Sequence, residues 1–172
     1  MLREISENSI RLILLLLIQG IILNEMDLGT LIVPYIYILF ILKLPFETPK
    51  WFVLILSFSC GMLMDAFTNT PGLHISSCVF LGFVRPTILR FYSPRDGYEY
   101  GMKPSVKSMG LTWFLYYSIW MVLSFNIWFF YMEVFNFSEF FTTLLRVIIS
   151  SFFALLIIMI TQYFSFGRRL NG

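Results

Sequence analysis

Charge is scarce in this chain. Only 13% of its 172 residues are Asp, Glu, Lys or Arg, while 58% are apolar and 19% aromatic. Soluble domains carry about 25% charged residues. Histidine occurs once, as His74, and cysteine twice, as Cys60 and Cys78. A metal centre needs several His, Cys or carboxylate ligands at fixed spacing, and nothing stands at such a spacing from His74. Two thiols inside apolar runs read as small buried side chains rather than as a disulfide. The chain has no G-x-S-x-G elbow, no H-E-x-x-H and no P-loop. Ser76 and Ser77 lie too close in sequence to His74 to form an intramembrane serine–histidine pair. These absences point away from catalysis, metal and cofactor. The net charge of +2 is too small to suggest nucleic-acid binding.

What is present is apolar length. The mean hydropathy is +0.80. Six apolar runs, at about 10–24, 28–44, 51–66, 72–91, 109–131 and 140–166, are separated by polar punctuation. At about 20 residues per span, six crossings use about 120 residues and leave about 50 for loops and tails. The expectation is one integral membrane domain over 1–172, an all-α bundle of six transmembrane helices. The runs are apolar on every side, without the alternation of a membrane barrel.

Charges assign the two faces. The gaps after the first, third and fifth runs carry Glu25 and Asp27, Asp65, and Glu133 and Glu139, with no cation. Arg3, Arg11, Lys43, Lys50, Arg85, Arg90, Arg95, Lys103, Lys107, Arg168 and Arg169 all fall on the other side. Positive loops stay cytoplasmic. Both termini are therefore expected inside. Trp51, Trp113, Tyr92 and Tyr163 mark the inner headgroup level, and Tyr35, Trp128 and Tyr131 the outer one. No small-residue cleavage site follows the first run at Asn24-Glu25-Met26, so it is expected to remain as an anchor.

An ionisable residue within a span is a functional hypothesis, because desolvation is costly without a partner. Arg146 lies about two helical turns inside the sixth run. It is expected to pair with Asp65, with Glu139 and Glu133 as competitors. Arg85 reads as an inner-interface anchor, and Pro86 as a kink or an end to its helix. Pro34 sits near the outer start of the second run. His74 reads as an interfacial polar residue. Gln19, Asn24 and Asn126 are candidates to bridge helices. Arg90, Arg95, Lys103 and Lys107, with Tyr98 and Tyr100, form a basic loop that either holds its face against anionic lipid or docks a partner.

The segment Gly61-Met62-Leu63-Met64-Asp65-Ala66-Phe67-Thr68-Asn69-Thr70-Pro71-Gly72-Leu73-His74 resembles the rod shape-determining protein MreD family. In that family a glycine and a following aspartate end one span, and a further glycine opens the next; here these are Gly61, Asp65 and Gly72. Arg85-Pro86 resembles the Bacteroidota-type variant. The resemblance implies a non-enzymatic scaffold of the cell-elongation complex in the bacterial inner membrane. Its partners would be MreC, RodA and a penicillin-binding transpeptidase, with MreB reached indirectly, and further copies of the chain are compatible with it. The family is similar to the substrate-binding subunits of energy-coupling factor vitamin transporters, which supplies an alternative: a small-solute-binding transporter subunit. Only two alanines, Ala66 and Ala154, leave no Ala-x-x-x-Ala face for that coupling. A proton-coupled carrier using Asp65 and Arg146 ranks last, because no internal repeat is visible.

Overall fold

The structure is a computed structural model that describes residues 12–23, 32–95, 97–135 and 139–167. Arg3, Arg11, Asn24, Glu25, Asp27, Arg168 and Arg169 lie outside them. Among the described residues there is helix and irregular backbone but no strand. An apolar helix α1 (Leu12–Ile21) ends in a π-helical turn, Ile18–Leu23. Then come α2 (Leu39–Leu42), α3 (Lys50–Thr68), α4 (Leu73–Phe91), α5 (Val106–Met109), α6 (Leu111–Val134) and α7 (Phe140–Gly167). Among the described residues, three helices are long and apolar enough to cross a membrane: Lys50–Thr68, Leu111–Val134 and Phe140–Tyr163. α4 has the same length as α3, 19 residues, but carries Arg85, Arg90 and several hydroxyls.

Each long helix starts and stops where the chain turns. The Thr48 hydroxyl donates to the Pro45 carbonyl at 2.8 Å, and Pro49, at φ −56°, leads into α3. α3 ends on Asn69 in the left-handed region. Pairwise packing runs α3 to α4, α4 to α6 and α6 to α7, with α3 and α4 the most closely associated. Gly61 approaches His74 and Ile75, while Gly82 approaches Ser57 and Val53, so α3 and α4 form an antiparallel hairpin.

The second run departs from expectation. A helix over 28–44 was predicted; instead residues 32–36 are non-helical, and only the single turn of α2 is helical. Tyr37, Ile38, Ile41 and Leu42 are fully buried. This segment touches His74 of α4 at one end and Arg85 of α4 at the other. It therefore runs beside α4 for 11 residues of that helix, about 16 Å at 1.5 Å per residue. Irregular backbone at membrane depth is tolerated only where protein surrounds it and supplies its hydrogen bonds. Side chains from elsewhere in the chain supply several such bonds to this segment. The Gln19 carboxamide accepts from the Ile36 N–H at 2.8 Å and donates to the Pro34 carbonyl at 3.2 Å. The Val33 N–H donates to the Ser150 hydroxyl at 3.1 Å. Tyr35, expected at the outer headgroup level, is 6% exposed and packs within this core.

Candidate functional site

Polar side chains concentrate at two levels of the α3–α4 hairpin. At the first, Asp65 is buried at the end of α3. Its Oδ1 accepts from the Thr70 hydroxyl at 3.1 Å and the His74 N–H at 3.0 Å. Its Oδ2 accepts from the Gly72 and Ile75 N–H groups, each at 3.0 Å. The first N–H groups of a helix lack intrahelical partners and favour negative charge. Asp65 thus caps α4 from the preceding helix, across the turn.

That use of Asp65 corrects the expected ion pair. Arg146 Nη1 lies 3.2 Å from Glu133 Oε2, and its guanidinium stands 4.7 Å over the Phe130 ring. α6 and α7 are packed neighbours, which brings Glu133 to Arg146. The α4 amides meanwhile occupy both Asp65 oxygens.

Gly61 and Gly72 act differently. A Cβ on Gly61 would lie 2.6 Å from the His74 carbonyl oxygen and the Ile75 Cα. Gly61 therefore permits backbone-to-backbone contact between α3 and α4. Gly72 has nothing within 4 Å of such a Cβ, but its φ of +90° requires glycine. Its role is the turn, not close approach.

His74 is 2% exposed, buried among side chains of the protein. Its Nδ1 lies 2.8 Å from the Tyr37 hydroxyl. Its ring packs against Tyr35 at 5.4 Å and Phe129 at 4.8 Å between centroids. The Cys78 thiol lies 3.7 Å from the same Tyr37 hydroxyl. Cys60 and Cys78 are free and buried. Among the described residues, no group of three or more His, Cys, Asp or Glu side chains could hold a metal ion.

The second level is built on Arg85. An anchor at the interface would be part-exposed; Arg85 is 1% exposed. Its Nε donates to the Tyr117 hydroxyl at 3.2 Å, and its Nη2 donates to the Leu44 and Pro45 carbonyls. The Tyr117 hydroxyl in turn donates to the Leu42 carbonyl at 3.1 Å. The cation thus meets the carbonyl end of the short turn α2, where helix dipoles favour positive charge. Pro86 does not end the helix, since α4 continues to Phe91. A proline removes one hydrogen bond, and the remainder of the ladder carries on.

The polar loop folds back beneath this level. Phe46 and Tyr98 stack 9° from parallel with centroids 4.0 Å apart. The Tyr98 hydroxyl donates to the Leu89 carbonyl at 2.7 Å. Burial is the main reason that the Tyr98 phenol is pushed up to about 12, so it remains a donor at ordinary pH. Trp113 Nε1 donates to the Tyr92 carbonyl at 2.7 Å, and the Gly101 N–H donates to Glu47.

Sequence reasoning anticipated Gln19 and Asn126 as bridges. Asn126 joins α6 to α7 through the Ser151 hydroxyl at 2.8 Å. It missed Tyr37, Tyr117 and Ser150. Their signal is a hydroxyl inside an apolar run, which needs a partner when buried.

Comparison of the chain with protein-family models, with curated proteins and with solved structures yields no match.

Proposed function

We propose that this chain is a non-enzymatic scaffold of the bacterial cell-elongation machinery, similar in role to MreD. It sits in the inner membrane and supports peptidoglycan synthesis and rod shape. The observation that carries this reading is the convergence of the MreD-like residues. Gly61, Asp65 and Gly72, 12 positions from first to last, form one cross-linked hairpin. A hairpin held by four hydrogen bonds to one carboxylate is a rigid element on which other helices can dock. The buried polar side chains described above bond mainly within the chain, leaving outward faces of Phe, Leu, Ile and Trp. Such faces act by packing against lipid or another transmembrane helix. In this reading one of them receives the single span of MreC, with RodA and its transpeptidase alongside.

The cations support an orientation. Lys43, Lys50, Arg90, Arg95, Lys103 and Lys107 lie on one side of the helices, and Asp65 and Glu133 on the other. The basic side is cytoplasmic by the positive-inside rule. With six crossings, both termini lie inside. The second crossing is the buried segment 32–44 rather than a full helix.

A second reading has one observation in its favour. A recess of about 410 Å³ at the acidic end is lined by Thr70, Pro71, Gly72, Leu73, Ser76, Met132 and Glu133. A small-solute-binding subunit would take its ligand there.

One experiment separates them. The tagged chain is purified from native membrane in mild detergent, and co-purifying proteins and small molecules are identified. Elongation-complex proteins are expected. An ATPase pair or a retained small solute would overturn the scaffold reading in favour of the transporter subunit.

A further inference from the structure

We infer that the groove between the start of α3 and the end of α4 is a binding site for one anionic phospholipid. The groove encloses about 240 Å³ and is lined by Lys50, Leu54, Gly82, Phe83, Pro86 and Thr87. Pockets that hold a drug-sized solute run ~300–1,000 Å³, so this smaller, half-open groove suits part of an elongated amphiphile rather than a whole solute.

Its chemistry is ordered along its length. At the mouth stands Lys50, exposed, at the first turn of α3. No side chain caps that helix terminus, which spans 19 residues and carries the positive end of the helix dipole. A phosphate set there meets an ammonium and unsatisfied amide donors together. Arg90 follows Thr87 by three positions on α4, on the same face and also exposed, and adds a second cation nearly one turn further out, beyond the groove lining. Neither Lys50 nor Arg90 has a carboxylate partner among the described residues.

Also at the mouth, across from Lys50 on α4, is the Thr87 hydroxyl, exposed and without a hydrogen bond among the described residues. Ser59, Thr68, Ser76 and Ser77 on these two helices bond back to their own backbone, whereas Thr87 and the buried Ser57 do not. Thr87 is free to donate to a phosphate or ester oxygen. About one turn deeper along each helix the lining is Leu54, Gly82 and Phe83, with Pro86 next to Thr87. Pro86 offers no N–H, and Gly82 no side chain, so the floor is smooth and apolar. A cation and a hydroxyl at the mouth above an apolar floor match a phosphate and glycerol ester above an acyl chain. Trp51, 64% exposed beside Lys50, places an indole at the headgroup level. The inference needs only that α3 and α4 lie in a bilayer and is independent of the scaffold role.

The test uses the full chain in mild detergent, titrated with phosphatidylglycerol, with phosphatidylcholine and with inorganic phosphate. Bound lipid is counted by native mass spectrometry. Phosphatidylglycerol is expected to bind more tightly than phosphatidylcholine. Lys50→Ala is expected to weaken it about fivefold, on the scale of one basic residue near anionic lipid. Leu54→Trp, which fills the floor, is expected to remove bound phosphatidylglycerol while leaving the fold intact by circular dichroism. Lys107→Ala, outside the groove, is expected to change nothing. Equal weakening by Lys107→Ala would mean a diffuse charge effect and overturn the site. Competition by inorganic phosphate with undiminished binding in Leu54→Trp would reduce it to an anion site and overturn the lipid. Indifference to headgroup charge would overturn both.

Discussion

The Arg85 guanidinium and the Tyr117 hydroxyl, 3.2 Å apart and both buried, form the joint between α4, α6 and the irregular second segment. Arg85 supplies donors and Tyr117 relays one to Leu42. The Leu42, Leu44 and Pro45 carbonyls lie at and beyond the end of α2, where no further helical amides are left to bond them.

Arg85→Met therefore leaves the Leu44 and Pro45 carbonyls without their donor. The expected loss is about 2–4 kcal/mol, on the scale of charge-assisted hydrogen bonds at buried sites. Arg85→Lys keeps the charge but not the fork, and should fall between the two. Thermal unfolding in detergent, read by a thiol-reactive dye on buried Cys60 and Cys78, measures this. A melting temperature unchanged in Arg85→Met would refute the joint.

Asp65→Ala removes the acceptor for four donors at once, and about 2–3 kcal/mol of stability is expected to go with it. Asp65→Asn retains one acceptor oxygen and should lose less. Hydrogen exchange at the His74 and Ile75 amides is the direct readout. Protection preserved in Asp65→Ala would mean that the cap is not what holds the α4 terminus.

The two glycines separate by mechanism. Gly61→Ala sets a methyl 2.6 Å from the α4 backbone and must push the helices apart. Overpacking of this kind costs about 1–3 kcal/mol. Gly72→Ala meets no atom but strains a left-handed turn, for about 1 kcal/mol. A cysteine cross-linking distance between α3 and α4 should widen in the first variant only. If Gly61→Ala leaves both the spacing and the melting temperature unaltered, the close approach is wrong.

Arg146 and Glu133 should behave as a pair. Single reversals, Arg146→Glu or Glu133→Arg, each destabilise; the double reversal should recover most of the loss. Combining Arg146→Glu with Asp65→Arg should instead give additive damage. Recovery in that second combination would restore the Asp65–Arg146 pair against the observed geometry.

The Asp65 hairpin was legible because its parts are adjacent in sequence. A carboxylate ending one apolar run and a glycine opening the next are a local pattern with a local outcome. The Arg146 partner was not, since Glu133, Glu139 and Asp65 all sit at the same end and hydropathy cannot choose among them. The choice follows from which carboxylate the α4 amides take first. The second segment was misread because an apolar run of 17 residues gives no helical period to test. The Val33-Pro34-Tyr35-Ile36-Tyr37-Ile38 stretch, rich in β-branched and aromatic residues after a proline, was the available signal.

Sequence alone determined the solvent of this protein's helices and the sorting of its charges, because apolar length and cation placement are properties of the chain taken one run at a time. Tertiary structure alone decided which run could abandon its helix. A backbone may forgo its own hydrogen bonds in an apolar medium only when donors and acceptors arrive from elsewhere. Gln19, Ser150, Arg85 and Tyr117 arrive from four different helices, at distances no single run encodes.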